Sequence, residues 1–217
     1  MFASQVSNAQ TEKGTETIGA NIGFSYTNAS DFTVSVANGS TSTLDTKTTT
    51  FNIGPIYSYF IADKLDIGAA LTYSSSTLKN MAGTYATTND SYPTKQSSDN
   101  FSTTLFIRKY FMYQNKIGFR TEGFLGYSHQ DNTNTYAPSF AGYNYDNETD
   151  YYSAGTNLDL VYYPSKKLGV SATIATLEYY HYTANNANQG HDSGDNITFN
   201  FVNSGLSLSV FYVFGSK

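Results

Sequence analysis

Apolar residues recur at every second position in stretch after stretch of this chain. In 18–26, Ile18, Ala20, Ile22, Phe24 and Tyr26 share one parity, and Gly19, Asn21, Gly23 and Ser25 share the other. Residues 65–74 set Leu65, Ile67, Ala69, Leu71 and Tyr73 against Gly68, Ala70, Thr72 and Ser74. Residues 167–174 set Leu168, Val170, Ala172 and Ile174 against Gly169, Ser171 and Thr173. From Leu206 to Phe214 the even positions are Leu206, Leu208, Val210, Tyr212 and Phe214. Period two is the signature of a strand with two unlike faces; a helix would need apolar spacings of three and four. The pattern predicts eight strands, at 18–29, 48–61, 65–76, 100–113, 116–129, 151–163, 167–181 and 198–214.

The connections between these strands alternate in length. Residues 62–64, 114–116 and 164–167 are tight turns. Residues 30–47, 77–99, 130–150 and 182–197 are long, polar and rich in Thr, Ser, Asn, Asp and Tyr. Long structureless loops are uncommon in compact soluble domains. Short turns at one end and long loops at the other are the habit of barrels that span an outer membrane. An even strand count puts both termini at the short-turn end, which is then the periplasmic end.

The two faces decide the surroundings. No helix or second apolar layer is evident to cover the oily face, so lipid must. The small polar face then lines a narrow bore, and the sheet must close, because an unpaired backbone group in hydrocarbon costs several kcal/mol. The fold class expected is all-β, an eight-stranded antiparallel up-and-down transmembrane barrel. Its lipid-facing set includes Ile22, Phe24, Ile67, Leu71, Leu105, Ile107, Val170, Ile174, Leu206 and Leu208. Composition fits this picture: 13% of residues are Asp, Glu, Lys or Arg, against roughly 25% in soluble domains. The 20 Tyr and 15 Phe fall toward strand ends, where interfacial girdles sit. The chain has no Cys, so disulfides and thiolate metal sites are excluded. A net charge of −5 argues against a nucleic-acid partner. Ser7-Asn8-Ala9 before Gln10 has small residues where a signal peptidase requires them. Residues 1–9 are therefore expected to be the remnant of a signal peptide, with Met1 an internal start, and 10–217 the barrel.

Residues 53–74, the pair 105–111 and 116–128, and the closing 205–214 are strand–short turn–strand pieces and a final aromatic strand. In these the chain resembles the small eight-stranded outer-membrane barrels of Gram-negative bacteria, the OmpA-transmembrane, OmpX and OmpW-like group, and most of all the porin-like "outer membrane protein beta-barrel domain" proteins. The resemblance implies an outer-membrane location and contact with membrane lipids and lipopolysaccharide. It also implies a C-terminal signal for the barrel-assembly machinery, carried by Leu206, Leu208, Val210, Tyr212 and Phe214, with Gly215, Ser216 and Lys217 following the aromatic.

Chemistry is sparse. His129, His181 and His191 show no converging metal-ligand spacing, and no metal or cofactor is expected. Ser128-His129 has no acid at a telling position, so no catalytic residue is assigned and the chain is expected not to be an enzyme. The leading function is a monomeric, non-enzymatic barrel whose loops at 77–99 and 130–150 meet a surface partner or support the envelope. A narrow channel for small or hydrophobic solutes is the alternative. A barrel-borne lipid hydrolase and a soluble lipocalin-like carrier are weaker ones.

Parity supplies one sharp site. Arg108, Arg120, Glu122 and Asp159 all point inward. A three-residue turn at 114–116 sets Tyr113 opposite Ile117 and hence Arg108 opposite Glu122; the neighbouring register would oppose Arg108 to Arg120, which like charges disfavour. Asp159 lies beside Arg120. The cluster is read either as a plug that blocks ion flow or as a structural salt-bridge network without a gating role.

Overall fold

The computed structural model describes residues 11–35, 41–81, 93–136, 145–186, 190–201 and 207–215. Every regular element among the described residues is a strand: β1 (Glu16–Ser35), β2 (Thr41–Ala62), β3 (Leu65–Met81), β4 (Pro93–Tyr113), β5 (Ile117–Tyr136), β6 (Tyr145–Tyr162), β7 (Leu168–Asn186), β8 (Gly190–Phe201) and β9 (Ser207–Phe214). All pairings are antiparallel, β1 through β7 pair in sequence order, and β9 returns to pair with both β7 and β1. The ring therefore has eight positions. The eighth is shared, with β9 on β7 over Leu168–Thr173 and β8 on β7 over Ala175–Asn186. Residues 202–206 between them lie outside the described residues, and Leu206 with them; so do residues 1–10, where the signal remnant was expected.

The strands are longer than alternation alone predicts. Stretches 30–47, 77–99, 130–150 and 182–197 were expected as loops, yet β1, β3, β5 and β7 climb into them and β2, β4, β6 and β8 descend out of them. In the last, only 187–189 separate β7 from β8. The physical reason is that the apolar parity marks only the part of a strand in lipid. A band ~25 Å tall takes about ten tilted residues, and β2 has 22. Beyond the band both faces meet water, so polar residues fill both parities and the alternation disappears.

The short turns lie at the opposite end. Lys64 adopts φ 60°, and Gln114 and Asn115 adopt 48° and 53°. These left-handed conformations suit the primed turns that match the twist of a hairpin. Ile22, Phe24, Ile67, Leu71, Leu105, Ile107 and Leu208 are exposed on the outside of the ring, Phe24 at 72%. Val170 shares that face but is half-buried. Ile174 is half-buried. Leu158 pairs with Ala175 and Asp159 with Thr173, so Ile174 is the extra residue of a bulge. Beyond it the outward parity of β7 changes from even to odd, which brings out Leu177 and Tyr179 instead.

Inside, large rings lie over glycines of the neighbouring strand. A Cβ on Gly169 would come within 2.1 Å of the Phe211 ring, and one on Gly68 within 2.5 Å of the Phe106 ring. Glycine at these two inward positions makes room for an aromatic in a bore too narrow for two side chains at one level.

The lipid face predicts a depth-dependent response to charge. Leu105→Arg, near mid-band, should destabilise the refolded barrel by about 2–4 kcal/mol, and Thr77→Arg, above the band, by less than about 1. Urea unfolding in lipid vesicles measures both; equal losses would show that the band is misplaced.

Candidate functional site

The bore is filled in two layers at its short-turn end. The lower is apolar. Phe60, Tyr110, Val161, Tyr163, Phe211 and Val213 are buried together, with Met112 packed against them. Phe60 and Tyr110 rings lie 5.4 Å apart, and Tyr163 meets Phe211 edge-on at 5.6 Å. The segment before β1 underlies this layer: Gly14 N–H donates to Phe60 O, and Lys64 N–H to Thr11 O, with Thr11 and Thr15 buried.

The upper layer is ionic. Arg108 sits opposite Glu122, Arg120 opposite Asp159, and Asp66 opposite Arg108. Arg108 Nε bonds Glu122 Oε2 at 2.5 Å, and Arg120 Nη2 meets Asp159 Oδ2 at 2.6 Å. The second oxygens are held as well. Asn157 Nδ2 donates to Glu122 Oε1 at 2.8 Å, and Thr173 Oγ1 to Asp159 Oδ1 at 2.7 Å. Arg120 also reaches Ser171 Oγ at 3.3 Å, and the Arg108 guanidinium lies 3.5 Å over the Phe106 ring. Asp66 extends the network toward β1: Ser58 Oγ donates to it at 2.6 Å, Tyr110 OH at 3.2 Å, and Ser58 bonds Thr17 at 2.7 Å. Charged and hydroxyl groups from β1 to β7 thus form one belt across the bore.

Asp66 and the aromatic layer were missed by sequence reading, and both had a signal. Asp66 has the inward parity of its strand. The aromatics lie where the alternation fails: Tyr59 and Phe60, Tyr110 and Phe111, Tyr162 and Tyr163, and Phe211 and Tyr212 put rings on both faces. Asp66 Oδ1 and Tyr163 OH have no hydrogen-bond partner among the described residues. Above the belt, Asn21, Thr72, Thr104, Phe124, Asn157 and Ser209 help line a polar cavity of about 210 Å³.

The family described as outer membrane protein beta-barrel domain matches residues 8–175. The chain belongs to that family. It is an outer-membrane β-barrel protein. No curated protein matches it. Among solved structures, the outer membrane protein OprG from Pseudomonas aeruginosa is similar at 13% identity and a TM-score of 0.47, over 96% of this chain and 100% of that one. The N-terminal β-barrel domain of Pseudomonas aeruginosa OprF is similar at 14% identity and a TM-score of 0.37, over 94% and 98%.

Where this outer-membrane barrel leaves its lipid band, one arrangement repeats. Tyr73 OH donates to Asp99 at 2.8 Å, Tyr127 OH to Asp150 at 2.8 Å, and Tyr179 OH to Asp195 at 2.6 Å. In each case the acid lies across from the residue two beyond the tyrosine: Ser75, His129 and His181. His129 and His181 bond those same carboxylates at 2.8 and 3.0 Å. A ring in lipid with its hydroxyl drawn up to an anchored carboxylate fits the interfacial role of tyrosine. Ser128 and His129 are neighbours in an extended strand and so point to opposite faces, one into the bore and one outward. Among the described residues no group of three or more His, Asp or Glu is arranged to hold a metal ion.

Removing one partner of a buried ion pair leaves the other stranded. Glu122→Ala should destabilise the barrel by about 3–5 kcal/mol. Replacing both Arg108 and Glu122 by Met and Leu should recover most of the loss. Urea titration followed by the gel shift of folded barrels reads both; a Glu122→Ala variant within 1 kcal/mol of wild type would contradict the coupling.

Proposed function

We propose that this protein is a closed, non-conducting barrel that anchors a polar wall at the cell surface and serves envelope structure or surface contact. The carrying observation is the two-layer filling of the bore. An eight-stranded interior is just wide enough for side chains to fill it. Here six buried apolar residues and the ionic belt occupy one level after the other. That filling speaks against the alternative of a conduit running from end to end.

The polar upper strands support surface contact. Strands of 17 to 22 residues, β3 and β2, exceed the need of the lipid band, so the wall continues beyond it. In this reading the short turns and both termini are periplasmic and the long end is extracellular. The barrel works as a monomer among outer-membrane lipids, and the outward Leu208, Val210 and Tyr212 with Phe214 present the assembly signal. A non-enzymatic role is supported by the opposed directions of Ser128 and His129.

In planar bilayers the wild type should show no steady open channel, and the triple variant Phe60→Ala/Tyr110→Ala/Tyr163→Ala should show one. A large, steady wild-type conductance would overturn the proposal. Orientation has its own test: protease added to intact cells should cut within 77–99 or 130–150, and cleavage confined to the short turns would reverse it.

A further inference from the structure

Positive charge is scarce in this chain, with 12 Lys and Arg in all. Its placement is uneven. Both arginines are in the bore, and Lys13, Lys64, Lys109, Lys116, Lys166 and Lys167 sit at the short-turn end. The upper wall has three cations among the described residues: Lys47, Lys79 and Lys95. They stand in one row. Lys47 on β2 is the register partner of Lys79 on β3, and Lys79 is the partner of Lys95 on β4. All three have the outward parity of their strands. Lys79 and Lys95 are exposed and Lys47 half-buried.

Like charges directly opposite on neighbouring strands repel. With strands ~4.8 Å apart, the row packs three ammonium groups across about 10 Å. One neighbouring carboxylate offsets them in part, since Asp99 feels the charge of Lys95. The flanking partners are Asn28 on β1 and Thr135 on β5. Asp45 lies two positions before Lys47 on β2. Asp99, four positions from Lys95 on β4, accepts from Tyr73 OH. No ion pair of the three lysines occurs among the described residues. On β5 to β8 the outward carboxylates at this end are Asp131, Asp146, Glu148, Asp150 and Asp195, with His129 and His181 bonded to Asp150 and Asp195. Among the described residues the three upper-wall lysines all stand on β2 to β4, and most of the outward carboxylates stand on β5 to β8.

Height identifies the partner. About ten tilted residues from Leu65 exhaust a ~25 Å apolar band, which then ends near Ser75. Lys79 is about 10 Å above that edge, and a lysine stem of roughly 6 Å can reach down from it. The polar headgroup layer of a bilayer is about 5–8 Å deep on each side. The row faces sideways, toward neighbouring lipids, at the level where phosphates lie.

We propose that Lys47, Lys79 and Lys95 form a docking row for a phosphorylated glycolipid of the outer leaflet, whose phosphates bridge adjacent ammonium groups and relieve their repulsion. The inference rests on the extracellular placement of the long end. Protease cleavage of intact cells tests that placement separately, so the two failures are distinguishable.

The test uses the full chain refolded in uncharged detergent, with the folded-barrel gel shift checked for every variant. The probes are diphosphoryl lipid A, fully dephosphorylated lipid A and inorganic phosphate. Wild type should bind the diphosphoryl form at least tenfold more tightly than the dephosphorylated form. Lys47→Gln/Lys79→Gln/Lys95→Gln should lose that preference, the Lys→Arg triple should keep it, and Lys64→Gln/Lys109→Gln/Lys116→Gln should keep it too. Equal wild-type binding of the two lipids would overturn the proposal without any variant. So would a Gln triple that binds like wild type, or displacement by inorganic phosphate at the same concentration as lipid A, which would assign the row to a free anion.

Discussion

Backbone hydrogen bonding in a solvent without water governs this protein. Each N–H and C=O within the hydrocarbon layer needs a partner in the sheet, and only closure supplies one to the first and last strands. β9 provides it. Ser207 to Tyr212 pair with β7 on one side, and Leu208 to Phe214 pair with β1 on the other. Closure at eight positions fixes a narrow bore, and the narrow bore fixes what the inward side chains must do. Lipid satisfies the outer face, whereas the inner face has to satisfy itself.

The two layers of the bore solve that problem with different chemistry. At the short-turn end, rings and branched side chains exclude water, and glycines on neighbouring strands make space for them, as Gly169 does for Phe211. One level up, guanidinium and carboxyl groups pair, the second oxygens of Glu122 and Asp159 take hydrogen bonds from Asn157 and Thr173, and Ser58 donates to Asp66. The layers are coupled. Tyr110 belongs to the apolar floor through its ring and to the polar belt through its hydroxyl, which reaches Asp66. Buried charge pairs of this kind contribute little net stability over well-packed apolar residues but make loss of a single partner severe. The belt links groups on seven strands, β1 to β7, across the bore.

Much of this is legible in the sequence because period two carries two messages at once. It marks a strand, and it sorts residues by face. Parity together with a three-residue turn is enough to set Arg108 opposite Glu122 and Arg120 beside Asp159, and the structure has both pairs in contact. Three features escape it, each where the two-faced pattern breaks. Above the lipid band both faces are polar, so the extended walls read as loops. At the short-turn end both faces are aromatic, so the floor is hidden behind the girdle. At Ile174 a bulge inserts one residue and exchanges the faces of β7, which no local pattern announces. The lysine row is of another kind: it joins residues 47, 79 and 95, and only the pairing register brings them together.

The central claim is that the bore is sealed between its polar cavity and its short-turn end. The chain has no cysteine, so a single engineered thiol reports without background. Thr104→Cys places one in the cavity above the ionic belt. In oriented vesicles, a membrane-impermeant maleimide added at the long-wall end should label it, and the same reagent added at the short-turn end should not. Labelling at comparable rates from both ends would contradict the seal.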